Sequence, residues 1–360
     1  MKTHAVKVLV VEGSSNMQML LLGILHCDSE IQVVGLAKNG QEAFECLART
    51  APDVILMDMD MPEIDALEIT RRIMESRPVP IVICSGHTNV REAITTFRLM
   101  EAGAVACVEK PTRGASDDFQ ETTSRLLRTL KSMSEVKVVR RWPRPCDAML
   151  PEGTSSSRSR QTLASVGLIG VGASTGGPPV IQSILTGLPN HFPVPVLIVQ
   201  HIAPGFLGGL VEWLDQTTGL KCQVAEHGMQ PLPGQVYLAP DDFHMTVRTG
   251  GRIALTRAEP ENGLRPSVGQ LFRSMAQVYG RSATGVLLTG MGKDGAEELK
   301  EMKDRGATTI VQDKESSIVH GMPGEAIKLG AATYVLSAGK IADALIALVN
   351  QIPAPQGARS

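Results

Sequence analysis

Short unbroken apolar runs recur along the first third of the chain: VKVLVVE (6–12), IQVVGLA (31–37), DVILMDMDMP (53–62), PIVICSG (80–86) and AVACVEKP (104–111). Runs of this length and composition read as strands buried on both faces of a parallel sheet. Amphipathic stretches separate them: about Asn16 to Cys27, NGQEAFECLART (39–50), ALEITRRIMES (66–76), NVREAITTFRLMEAG (89–103) and about Asp117 to Ser132. Five β/α units in succession predict a doubly wound α/β domain.

From Met133 to Ser165 the period is lost in a mixture of proline, serine and arginine, which reads as an interdomain linker. Alternation then returns. Strands are predicted at 167–172, VPVLIVQH (194–201), GQVYLAP (234–240), TGVLLTG (284–290), ATTIVQD (307–313) and AATYVL (331–336). A hairpin is predicted around Gly250-Gly251, a helix over 339–351 and a frayed PAPQGARS end. The expected organisation is a doubly wound α/β domain over 1–132, a linker over 133–165 and a second α/β domain, Rossmann-like and mostly parallel, over 166–352.

Composition narrows the functional classes. A net charge of about −2 gives no global pull toward nucleic acid or anionic membrane, and 3% aromatic content leaves few stacking platforms. No apolar run reaches the length of a membrane span. The six cysteines form no CxxC pair and no signal peptide precedes them, so a reduced, cytoplasmic setting is expected.

The run GVGASTGGPP (170–179) carries candidate chemistry. A dinucleotide fingerprint is disfavoured, because the third glycine falls one place late and the next strand ends in Gln200-His201 rather than an acid. A P-loop is disfavoured by Pro178-Pro179 where Lys-Ser/Thr belongs. Gly172 to Gly176 matches G-x-S-x-G, the strand-to-helix turn that exposes a serine hydroxyl. Taken alone, a packing turn with an incidental serine stays open. His201, at the end of the next strand, supplies a candidate base, and Asp294, after a later strand in LLTGMGKDG, a candidate orienting carboxylate. Singly, His201 also reads as a strand-end histidine and Asp294 as a helix N-cap.

GASTGGP, VQHIAPGF, LPGQVYLAPDDFHM, RPSV, LLTGMGKDGAEELK and SSIVHGMPGEAI together make the chain closely similar to the CheB family of bacterial chemotaxis protein-glutamate methylesterases. The resemblance covers nearly the whole chain. It implies Ser174 as nucleophile, His201 as base and Asp294 as its partner, with backbone amides near Thr175 and Met291 facing the oxyanion. The implied reaction is hydrolysis of glutamate γ-methyl esters on chemoreceptor helices, with glutamine deamidation often alongside and no cofactor. The expected site is an open groove, the expected partners are chemoreceptors and a chemotaxis histidine kinase, and the expected state is a monomer. His227, His244 and His320 are assigned to packing or substrate alignment.

The amino-terminal part resembles response-regulator receivers, which implies Asp58 as phosphoacceptor with Ser85 and Lys110 beside it. Three positions depart from that pattern. Gly13 follows Glu12 where a second acid is usual, leaving Glu12 and Asp58 to hold Mg²⁺. Cys107 replaces the usual aromatic, and Ala66 a common glycine. A receiver that takes phosphate poorly and regulates by docking or another signal is expected; the alternative is that Glu12 reaches into the gap left by Gly13. In the second domain Gly269 stands where Asp is usual and Lys293 where Asn is common. A catalytically silent interaction protein of the same fold, and an esterase acting on small molecules, are the competing readings.

Overall fold

The computed structural model describes residues 5–61, 65–86, 90–111, 116–136, 138 and 166–350. Most of the expected linker and the PAPQGARS end lie outside the described residues.

The first domain runs β1 (Val6–Val11), α1 (Ser15–His26), β2 (Ile31–Ala37), α2 (Gly40–Arg49), β3 (Val54–Asp58), α3 (Ala66–Ser76), β4 (Ile81–Ser85), α4 (Val90–Ala102), β5 (Ala106–Glu109) and α5 (Ser116–Ser134). Its five strands are parallel in the order β2-β1-β3-β4-β5. Ser14, Asn39 and Asp65 cap α1, α2 and α3 through their side-chain oxygens, which is why those helices start where they do. The third strand stops at Asp58, shorter than the apolar run; Met59, Asp60 and Met61 belong to the loop beyond it.

The second domain runs β6 (Leu168–Ala173), α6 (Gly177–Gly187), β7 (Val196–Gln200), α7 (Leu207–Thr218), β8 (Lys221–Val224), β9 (Gln235–Leu238), β10 (His244–Val247), β11 (Ile253–Thr256), α8 (Val268–Val278), β12 (Ala283–Leu287), α9 (Ala296–Asp304), β13 (Thr308–Gln312), α10 (Met322–Lys328), β14 (Tyr334–Leu336) and α11 (Ala338–Asn350). Seven strands form a parallel sheet in the order β14-β13-β12-β6-β7-β9-β8, and β10 and β11 make the expected hairpin. The edge strand β8 was not foreseen. KCQV is short and only half apolar, and pairing with β9 rather than local pattern makes it a strand.

The chain leaves β6 in the middle of the sheet, with β7 on one side and β12 on the other. Loops diverge there in opposite directions, so a crevice opens at the carboxyl ends of the strands, where open α/β sheets place their sites. Small residues let α8 lie close over β6. A Cβ at Gly172 would stand 2.3 Å from Val268 Cγ1, and one at Gly170 would meet the Met275 sulfur.

Candidate active site

Ala173 and Gln200 are register partners at the ends of β6 and β7, so Ser174 and His201 leave adjacent strands side by side. The His201 N–H donates to the Ala173 carbonyl at 2.9 Å and continues the ladder one residue further. On the other flank the Ser174 N–H donates to the Thr289 carbonyl at 3.0 Å, joining the serine turn to the loop after β12. That loop passes close because residue 290 is glycine: a Cβ there would lie 2.7 Å from Ser174 Cβ. Gly176 then turns the chain into α6 with φ of 75°, a left-handed conformation in which a side chain is strained.

Asp294 lies in the same loop, 7% exposed. It does not cap α9, whose N-cap is Gly295. It caps α8 instead. Oδ2 accepts from Val268 N–H at 2.7 Å, and Oδ1 from Gly269 N–H at 3.1 Å and the Ser267 hydroxyl at 2.8 Å. His201 Nε2 stands 3.0 Å from Oδ2, with its N–H not aligned on the oxygen. Burial alone would raise the Asp294 pKa, but His201 and the Val268 and Ser267 donors outweigh it and hold the carboxylate below its ordinary value. With Nε2 turned to Asp294, Nδ1 is the ring nitrogen left for a substrate-side proton. Among the described residues the Ser174 hydroxyl makes no hydrogen bond; such bonds commonly form only once substrate is bound.

The remaining sequence candidates find defined places. His244 is fully buried: its Nδ1 accepts from Ser267 N–H at 3.3 Å and Nε2 faces the Glu259 carbonyl, so it braces the start of α8. His227 Nδ1 pairs with the Leu255 backbone. His320 bridges to Gly290 beside the serine turn, and burial, reinforced by Lys314, lowers its pKa. Lys293 points to solvent and pairs with Glu297 at 3.7 Å rather than with Asp294. A Cβ at Gly269 would stand 2.9 Å from Glu298 Oε2 and 3.3 Å from Asp294 Oδ1; an aspartate here would crowd two carboxylates.

Two residues that position this site had no local signal. Thr289 ties the Thr175 carbonyl to the Val319 backbone. Gln200 donates to the Ser174 and His201 carbonyls, both at 2.8 Å. A polar residue ending the run VLIVQ was its only trace in the sequence.

Residues 169–345 match the family described as CheB methylesterase, and residues 8–120 the response regulator receiver domain. The chain is 48% identical to protein-glutamate methylesterase/protein-glutamine glutaminase 4 of Geobacter metallireducens, over 96% of this chain and 99% of that one. The chain belongs to the CheB methylesterase family. It is also 49% identical to the protein-glutamate methylesterase/protein-glutamine glutaminase of Nitrosospira multiformis, over 96% of this chain and 98% of the relative. The solved catalytic domain of Thermotoga maritima CheB methylesterase superposes with a TM-score of 0.50 at 41% identity, covering 52% of this chain and all of that one.

The receiver domain of this CheB-family chain has its acidic pocket at the carboxyl ends of β1 and β3. Lys110 Nζ reaches Asp58 Oδ1 at 2.6 Å and Glu12 Oε2 at 3.1 Å. Lys110 N–H donates to the Ser85 carbonyl, which places the two expected switch residues side by side. Glu12 is 1% exposed and turned inward. Its pKa is raised, first by burial and then by the Asp58 charge, against the Ser14 N–H and Lys110. Two carboxylates close enough to repel one another fit the minimum donor set of Mg²⁺, whose charge would relieve that repulsion. Burial pushes the Cys107 thiol up to about 12, so it stays protonated.

The receiver packs on the catalytic domain through α4 and α7. Phe97 and Trp213 stack with ring centroids 5.5 Å apart, and a Cβ at Gly209 would stand 2.2 Å from that of Ala93. At the end of α5, Ser132 Oγ lies 3.9 Å from the sulfur of Met291, and Ile318 and Val319 pack against the receiver core. Among the described residues no helix is long and apolar enough to cross a membrane.

Proposed function

We propose that this chain hydrolyses glutamate γ-methyl esters on the cytoplasmic helices of chemoreceptors, and deamidates glutamines there, as a serine hydrolase governed by its receiver. The observation that carries the reading is that Ser174 and His201 follow register partners at the ends of adjacent strands, with Asp294, from the loop after a third, 3.0 Å from the His201 ring. The relatives' names give the substrate class.

In this reading Ser174 Oγ attacks the ester carbonyl while His201 Nδ1 takes its proton. The imidazolium, stabilised through Nε2 by Asp294, returns that proton to the departing methanol. Water, activated by the same nitrogen, then hydrolyses the acyl-enzyme. The oxyanion is met by the N–H groups of Thr175 and Met291; among the described residues neither is spent on another hydrogen bond. Removing one such donor typically costs about 10²–10³ in kcat. Asp294, held by α8, orients the ring rather than taking the proton.

In the receiver, Asp58 is the phosphoacceptor for a chemotaxis histidine kinase, with Ser85 and Lys110 contacting the phosphoryl group; because Gly13 offers no third carboxylate, the receiver takes phosphate poorly and docking or another signal carries much of the regulation. Glu12 and Asp58 would hold Mg²⁺, which supplies charge neutralisation when bound. Because α5 reaches Met291, an undisturbed receiver covers part of the rim a receptor helix must approach. Methanol release from a methylated receptor cytoplasmic fragment tests the reading; absence of release from both the full chain and the receiver-free 166–360 fragment overturns it.

A further inference from the structure

Gln200 ends an otherwise apolar strand and is 7% exposed. A buried amide is costly unless its hydrogens are used. Both are: Nε2 donates to the Ser174 carbonyl and to the His201 carbonyl, each at 2.8 Å. The amide orientation follows from chemistry, because the flipped rotamer would set an oxygen against two carbonyls. The price of this orientation falls on Oε1, which has no hydrogen-bond partner among the described residues. It lies where a Cβ of residue 177 would be, 2.1 Å away, so glycine at 177 makes room for it.

The peptide joining Ser174 to Thr175 is trans, so its carbonyl and its N–H point in opposite directions. Drawing the Ser174 carbonyl inward, onto Gln200 and the Gly177 N–H, turns the Thr175 N–H outward to the crevice. The same amide holds the carbonyl of His201, the residue that carries the base. One side chain thus joins the Gly177 N–H in directing an oxyanion donor and ties the backbone of the nucleophile to that of the base.

We infer that Gln200 is a positioning residue for the hydrolysis, clamping the Ser174–Thr175 peptide and the His201 backbone into the reactive arrangement. The inference rests on the serine-hydrolase chemistry proposed for the site. Gln200→Met keeps the length and removes both donors. Gln200→Glu restores one donor only when its carboxyl is protonated.

The test measures kcat and KM of the full chain for methanol release from methylated receptor, and separately for p-nitrophenyl acetate, which needs the same peptide but no receptor. Gln200→Met is expected to lower kcat about 10²-fold with KM within about twofold, since displacement by about 1 Å costs that much. For Gln200→Glu, the ratio of variant to wild-type kcat is expected to rise as pH falls. With kcat expressed per folded, titrated active site, a role confined to stability moves neither the split nor the ratio. Wild-type kcat in Gln200→Met overturns the inference, as does a pH-independent ratio in Gln200→Glu. If wild type cleaves p-nitrophenyl acetate but releases no methanol, the receptor reading fails while the same variants still decide the role of Gln200.

Discussion

Asp294 Oδ2 stands 3.0 Å from His201 Nε2, and the rest of that carboxylate is spent on the first turn of α8. One anion thus caps a helix and faces the imidazole, so the orientation of the ring is inherited from the packing of α8 over β6. Removing the charge should be felt in both rate and stability.

Asp294→Asn is expected to lower kcat by about 10²–10⁴. It should also destabilise the catalytic domain at neutral pH by about 1.5–3 kcal/mol, the range for hydrogen bonds to a charged group. The native carboxylate has a depressed pKa, so its stabilisation is full above the unfolded-state value and is lost as pH falls through the native value. Denaturant unfolding of both proteins should show a gap at pH 7 that closes below about pH 4.

Gly172→Ala places a methyl group 2.3 Å from Val268 Cγ1, on the strand directly under the residue whose N–H holds Asp294. Overpacking of this kind costs about 1–3 kcal/mol. Thermal unfolding should show that loss, and kcat should fall with it because α8 carries the carboxylate's donors. A variant as stable and as active as wild type would mean that α8 does not position Asp294.

Much of this architecture was legible because parallel strands announce themselves as apolar runs and because their carboxyl ends are where sites form. On that ground Ser174, His201 and Asp294 were expected at one rim, while their roles came from the family resemblance. What stayed hidden was long-range. Nothing near Asp294 says that its carboxylate caps a helix beginning 26 residues earlier at Val268 rather than the one beginning at Ala296. Nor does VLIVQ say which carbonyls Gln200 will meet. β8 was missed for the same reason, being a strand through its partner. Lys293, next to Asp294 in the sequence, takes the solvent-facing one of the two placements that adjacency allowed.

Phe97→Ala removes the ring that stacks on Trp213 between the domains. The aromatic contact is worth about 0.5–1.5 kcal/mol beyond its buried area. Weakening it is expected to raise the resting methylesterase rate of the unphosphorylated full-length chain several-fold, toward the rate of the isolated 166–360 fragment, which has no receiver. An unchanged rate in full-length Phe97→Ala would separate this interface from regulation.

Gly13→Asp restores a third carboxylate beside Glu12 and Asp58. It is expected to lower the Mg²⁺ concentration needed for phosphorylation by a small-molecule phosphodonor, read as one phosphoryl mass on intact protein and absent in Asp58→Asn. Equal Mg²⁺ requirements in wild type and Gly13→Asp would show that Glu12 and Asp58 suffice.

The most direct measurement is methanol release from a glutamate-methylated receptor fragment by wild type and Ser174→Ala side by side. Steady release by wild type, reduced in the variant to the level of buffer, is the predicted result. Release that survives loss of the Ser174 hydroxyl would contradict the account.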